Sequence, residues 1–297
     1  MAYGQYRCVS VWLRFGLLVA LAYARLNLQA HGDLEVRIEA ISHMLATNSS
    51  APDLYFRRAE LYRLHEQLML ALADYQRVLE LSPTNDAARL GMSGALLKAG
   101  KPLEARAMVE IVLRKQPANP EARLARARIM TSLGEKWEAV ADYSKALSAV
   151  SSPTPEIYLE RAALLAESGD FKEALAGLDD GVKRLGHVPP LELRAVELEL
   201  CRNCPDAALD RLNEQISRAP RKEFLLFRRA TVLEKLGRWK DARACYQSVL
   251  EAMDALAPDR RNIPAVKSLL EQVQGALKRL ASDADDLASF HGVGRSP

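Results

Sequence analysis

The chain has 297 residues, 49% of them hydrophobic, which is enough for one large domain or two ordinary ones. Its formal charge is +3, and the whole surplus lies in Arg7, Arg14 and Arg25 of a first segment with no acidic residue. The neutral remainder gives no electrostatic reason to expect nucleic acid or an anionic membrane as partner. Aromatic residues make up only 6%, and no stretch alternates apolar and polar residues for long. An all-β class is thereby excluded, and an all-α chain is expected.

Residues 1–30 are laid out like a secretory signal peptide. A charged start precedes a ten-residue apolar run, Phe15–Ala24, with small-residue exits at Ala24 and Ala30. A membrane span needs about 20 apolar residues, so cleavage near Ala24 or Ala30 and export to the periplasm or beyond are expected. An uncleaved segment anchoring the chain in the inner membrane is the alternative. After the leader, residues 31–51 include DLEVRIEAISHMLA (Asp33 to Ala46), with the spacing of a single N-terminal capping helix.

Beyond residue 51 the sequence repeats. Alanines stand at Ala71, Ala105, Ala139, Ala174, Ala208 and Ala242, at intervals of 34 or 35 residues. Twelve positions earlier runs a second small column, Ala59, Ser93, Ala127, Ala162, Val196 and Ala230. Two small columns in fixed phase require two helices that approach closely once per period. Five positions before the alanine come Glu66, Gly100, Gly134, Gly169, Asn203 and Gly237, where a helix must end with a residue able to take positive φ. Twelve after it come Pro83, Pro117, Ser151, Gly186, Pro220 and Asp254, which stop the second helix.

With these residues in place, the unit APDLYFRRAELYRLHEQLMLALADYQRVLELSPTN (Ala51 to Asn85) resembles a tetratricopeptide repeat, a 34-residue helix-turn-helix. The resemblance extends over six units, 52–85, 86–119, 120–154, 155–188, 189–222 and 223–256. It implies an all-α, right-handed solenoid in which stacking supplies the core and the ends need caps. Residues 257–281, with Ile263, Val266, Leu269, Leu270, Val273, Leu277 and Leu280 on one side, supply a C-terminal capping helix. The small and acidic residues of 282–297 predict a mobile tail. The fifth unit departs most from the pattern, with Val196 in the small column and Glu199 and Gln215 where apolar residues are expected.

In this family the first helix of each unit lines a concave groove. The resemblance therefore implies a partner-binding stripe at Phe56, Leu90, Leu124, Leu159, Leu193 and Phe227, flanked by Glu60, Arg63, Arg128 and Glu197. Simple packing of the same stripe against neighbouring helices is the competing reading. Chaperone-binding members clamp a C-terminal carboxylate with inward lysine and asparagine, and that pattern is missing here, so no such clamp is expected. Arg58, Arg126, Arg161 and Arg229 form a further column, read as solvated ion pairs between units with acids close in sequence such as Glu60 and Glu160.

The five histidines form no H-x-x-x-H or H-E-x-x-H pair, and no nucleophile elbow, Walker loop or dinucleotide fingerprint occurs. No enzyme activity, cofactor or metal site is therefore predicted. Cys201 and Cys204 form one C-x-x-C with no second pair, half of what zinc requires. In an exported chain they admit a local disulfide, or else two structural thiols. The reading that results is an exported, non-enzymatic scaffold binding a protein or peptide, in cell-envelope assembly or secretion. A membrane-anchored envelope subunit and a redox accessory using Cys201 and Cys204 are the alternatives.

Overall fold

The computed structural model describes residues 33–292, with side chains through 281, so the expected leader over 1–30 lies outside the described residues. The chain is all-α, as the sequence implied, and no strand occurs among the described residues. Helix α1 spans 33–47. Six helix pairs follow: α2 (Pro52–Leu64) with α3 (Leu68–Leu81), α4 (Asp86–Lys98) with α5 (Pro102–Lys115), α6 (Pro120–Leu133) with α7 (Lys136–Ala149), α8 (Pro155–Glu167) with α9 (Phe171–Leu185), α10 (Pro189–Cys201) with α11 (Pro205–Arg218), and α12 (Glu223–Lys235) with α13 (Trp239–Asp254). The short α14 (Pro258–Arg261) and the long α15 (Pro264–Gly292) end the chain.

The helix boundaries follow from local chemistry. Prolines open α2, α5, α6, α8, α10 and α11, where a missing N–H leaves no partner unsatisfied. Asn85 and Asn119 cap α4 and α6 by accepting the Ala88 and Ala122 amides at 2.9 and 3.0 Å. Each pair is joined by a tight turn around one left-handed residue, Gly134 at φ 79° in the third repeat. Glu66 (φ 59°) and Asn203 (φ 61°) take that conformation without a glycine. Around Asn203, the Cys204 amide reaches the Glu199 carbonyl (2.8 Å) and the Asn203 amide that of Leu200 (3.0 Å), the two bonds of a Schellman ending.

The chain divides into two compact units, 1–152 and 153–297. In the first, consecutive helices pack against each other, and the first helices α2, α4 and α6 also touch. Both small columns are fully buried there (Ala59, Ser93, Ala127 and Ala71, Ala105, Ala139), with Tyr75 and Tyr143 filling the space beside them. Helix α1 runs antiparallel to α2: Arg58 Nη1 donates to Ser42 Oγ at 3.0 Å, and Glu35 lies 3.9 Å from His65 Nε2.

In the second unit, α15 covers the last pair with Val266, Leu269, Val273, Ala276 and Leu280 against Tyr246 and Val249. No proline interrupts α15 after Pro264, and its backbone stays helical through the expected tail as far as Gly292. The polar misfit residues of the fifth repeat each find a partner within it. Buried Glu199 accepts from Arg202 (2.6 Å) and Arg211 (3.2 Å), and Gln215 Nε2 donates to the Glu192 carbonyl (3.4 Å).

Candidate functional site

In the first unit, α4 and α6 lie side by side and leave an open cavity of about 280 Å³ between them. It is lined by half-buried Leu90, Leu97, Leu124 and Ala125, by buried Ser93 and Ile129, and by exposed Glu121 and Arg128. Gly94 makes the opening: a Cβ built there meets nothing within 4 Å. One turn away, Gly91 does the opposite, since its missing side chain admits the Tyr75 ring, and a Cβ would stand 2.6 Å from Tyr75 Cε1. A glycine pair on one helix thus lets one side pack and keeps the other open.

Of the residues expected to bind a partner, Leu90, Leu124 and Arg128 line this cavity. Sequence reading missed Glu121, Ala125 and Ile129 because the columns were followed only along the expected stripe. Their signal was the same 34-residue phase, read one helix turn to either side. Phe56, Glu60 and Arg63 are engaged within the first repeat. The Phe56 ring stands edge-on to Tyr75 with centroids 6.1 Å apart, and Glu60 accepts hydrogen bonds from the Tyr75 hydroxyl and from Arg63 Nη2. Burial, reinforced by Glu60, pushes the Tyr75 phenol above its usual range, so it stays a donor.

In the second unit, Phe227 packs on Tyr246 (5.8 Å between centroids) and Glu197 pairs with Arg228 (2.6 Å) and Arg194 (3.2 Å). Leu159 and Leu193 are half-buried.

The arginine column is corrected by the structure. Arg58, Arg126 and Arg229 bond within their own repeat, to the residue sixteen positions on. Arg58 holds Asp74 with Nε at 2.7 Å and Nη2 at 2.8 Å, and Arg126 holds Asp142 likewise, both aspartates being buried. These hydrogen bonds raise both arginines further above their already high range. In the fourth repeat the sixteenth residue is Gly177, and Arg161 reaches Glu173 (2.5 Å). In the sixth it is Cys245, whose thiol lies 3.5 Å from Arg229 Nη1. Burial pushes that thiol up, more than the arginine draws it down.

Cys201, Cys204 and Cys245 are free thiols, respectively exposed, half-buried and buried. Among the described residues, no group of three histidine, cysteine or acidic side chains could hold a metal ion, and no helix is long and apolar enough to cross a membrane.

A tetratricopeptide repeat family model matches residues 64–129, a stretch that contains every residue lining the cavity. No curated protein sequence matches the chain. Among solved structures, the C-terminal part of a TPR repeat-containing protein from Cytophaga hutchinsonii superposes with a TM-score of 0.60 at 16% identity, over 80% of this chain and 99% of that one. A tetratricopeptide repeat protein from Parabacteroides merdae ATCC 43184 superposes with a TM-score of 0.52 at 16% identity, over 88% and 98%. These likenesses establish the fold. By its 34-residue register, its helix pairs and these matches, the chain has the fold of tetratricopeptide-repeat proteins, and the family's own model is matched over residues 64–129.

Proposed function

We propose that the chain is an exported, non-enzymatic scaffold that binds a protein or peptide through the α4–α6 face of its first unit, in the context of cell-envelope assembly or secretion. The observation that carries the binding reading is the apolar cavity opened by Gly94. At about 280 Å³ it falls below the range of about 300–1,000 Å³ usual for small-molecule sites, and suits one or two apolar side chains of a larger ligand. Helix-borne walls hold the site in shape before the ligand arrives, which lowers the ordering cost of binding. Export and the envelope setting rest on the leader-like layout of residues 1–30.

The test is photocrosslinking capture from an envelope fraction, followed by affinity measurement with the purified partner. Gly94→Leu, which fills the cavity, and Leu124→Glu, which charges its wall, are expected to weaken binding at least about tenfold, or about 1.4 kcal/mol. Equal affinity of both variants and the unaltered chain would sink the reading.

A further inference from the structure

The neutrality of the chain beyond its first segment hides an uneven distribution of charge. Aligned by the 34-residue period, Lys235 to Arg243 (KLGRWKDAR) at the turn of the sixth repeat holds four cations and one acid. The matching stretches of the third and fourth repeats, 132–140 and 167–175, carry an acidic surplus. In that of the second, 98–106, Lys101 and Arg106 are paired with Glu104 and Glu110.

Seven consecutive residues of the sixth turn, Lys235 to Asp241, are exposed. Trp239 opens α13 at 50% exposure and Leu236 stands three residues earlier at 38%. The indole lies beside Gly237, where an added Cβ would stand 3.8 Å from Trp239 Nε1. Arg243 follows Trp239 by four residues, on the same face of α13. Helix α15 adds to this edge: Arg279 Nη2 reaches Glu234 Oε1 at 3.3 Å, and Lys278 beside it is exposed.

The acids at the edge are already engaged. Glu234 also accepts from the Tyr246 hydroxyl (2.6 Å), and Asp241 pairs with Arg238 (2.9 Å), which lies 3.8 Å from Asp206 of the preceding turn. Lys235, Lys240, Arg243 and Lys278 have no ion-pair partner among the described residues.

Uncompensated cations around an exposed indole and leucine match the boundary of an anionic bilayer, where lysine and arginine meet lipid phosphates and tryptophan settles at headgroup level. Single-stranded nucleic acid fits the same charge less well. It stacks successive bases on aromatic rings along a basic groove, and here one ring stands on an exposed turn beside an aliphatic side chain. No helix among the described residues is long and apolar enough to cross the membrane, so the contact they offer is peripheral.

We propose that the turn edge of the sixth repeat docks the chain on an anionic membrane, with Trp239 and Leu236 at the headgroup boundary and Lys235, Lys240, Arg243 and Lys278 against lipid phosphates. The α4–α6 cavity lies in the other unit and takes no part, so this docking is independent of peptide binding.

The full chain is made with Trp12→Phe and Trp137→Phe, which leaves Trp239 as its single tryptophan. It is mixed with vesicles of phosphatidylethanolamine and phosphatidylglycerol whose acyl chains are brominated. Quenching of Trp239 emission is expected, with a partition coefficient at least about tenfold above that for brominated phosphatidylcholine vesicles at about 0.1 M salt, a difference that disappears at about 1 M. Because all three positions are exposed, Lys235→Glu/Lys240→Glu/Arg243→Glu should keep its helicity and partition about tenfold less. Unquenched Trp239, or equal partition into the two kinds of vesicle, would overturn the proposal. So would an unchanged partition of the charge-reversed variant, which would assign binding to another part of the chain. Tighter binding to a single-stranded oligonucleotide or to polyglutamate, at equal anionic charge, would replace the membrane with a nucleic acid or an acidic protein. Gly94→Leu should leave the partition unchanged, so failure at this edge is told apart from failure at the cavity.

Discussion

Arg126 grips Asp142 through two hydrogen bonds, 2.6 Å from Nε and 2.9 Å from Nη2, with the aspartate 3% exposed and shared with Arg123 at 2.9 Å. The pair ties the first helix of the third repeat to the second, as Arg58 and Asp74 do in the first. Removing one partner of a buried pair strands the other charge, whereas replacing both with apolar groups is nearly neutral. Asp142→Ala is therefore expected to lower the unfolding free energy by about 3 kcal/mol, because two arginines lose their partner, and Arg123→Leu/Arg126→Met/Asp142→Leu, which leaves no charge stranded, by much less. Urea unfolding of both variants measures this. A single-variant loss under about 1 kcal/mol would show that the pair contributes little.

The same column supplies a gain-of-stability test. In the sixth repeat Cys245 stands where the first and third have aspartate, and the Nε of Arg229 is buried without a partner. Cys245→Asp would present a carboxylate to that guanidinium, a charge-assisted bond worth about 1.5–3 kcal/mol gross, set against the cost of burying the acid. A net rise of about 1 kcal/mol in unfolding free energy is expected, visible as a higher thermal midpoint. The gain should vanish in Arg229→Met/Cys245→Asp. A gain that persisted there would detach it from the pair.

These pairs show what a sequence does and does not disclose. The period made the fold legible, because only alanine or serine fits where Ala59 and Ala71, or Ser93 and Ala105, bring two helices together. Register also placed Leu90, Leu124 and Arg128 on the face that holds the cavity. Sequence proximity points Arg58 and Arg126 to near acids such as Glu60, whereas their partners Asp74 and Asp142 lie sixteen residues away, across the turn. Comparing two columns at once would have found it: arginine with aspartate in repeats one and three, Met92 with Met108 packed together in an apolar cluster in repeat two. The fifth repeat hides the same logic, where Ala195 leaves Arg211 free to meet Glu199 and Asp179. Phe56 and Phe227 could not be separated from the binding stripe by periodicity. Their burial against Tyr75 and Tyr246 depends on how two helices meet.

The two glycines of α4 should respond in opposite directions to the same substitution. Gly94→Ala adds a methyl into open space and removes backbone freedom from the unfolded chain, so a gain of about 0.5–1 kcal/mol is expected. Gly91→Ala drives Cβ to within 2.6 Å of the Tyr75 ring, which is fully buried and hydrogen-bonded to Glu60. Displacing that ring should cost about 1–3 kcal/mol. Equal effects in thermal unfolding would mean that the Tyr75 ring yields freely.

The turn column offers the last test. Glu66 and Asn203 occupy a position that glycine fills in the other four repeats, at φ 59° and 61°. A side chain with Cβ in that region is strained by about 1–2 kcal/mol, less for asparagine, which tolerates it. Glu66→Gly should therefore raise the unfolding free energy by about 1 kcal/mol, partly offset by the greater freedom of glycine in the unfolded chain. Asn203→Gly should change it by a few tenths at most. Gly134→Ala, at φ 79°, reverses the sign and should lose about 1 kcal/mol. Chemical unfolding of the three variants side by side reads the order directly. If Glu66→Gly proved destabilising, the carboxylate would have to make a contact stronger than the strain it imposes on the backbone.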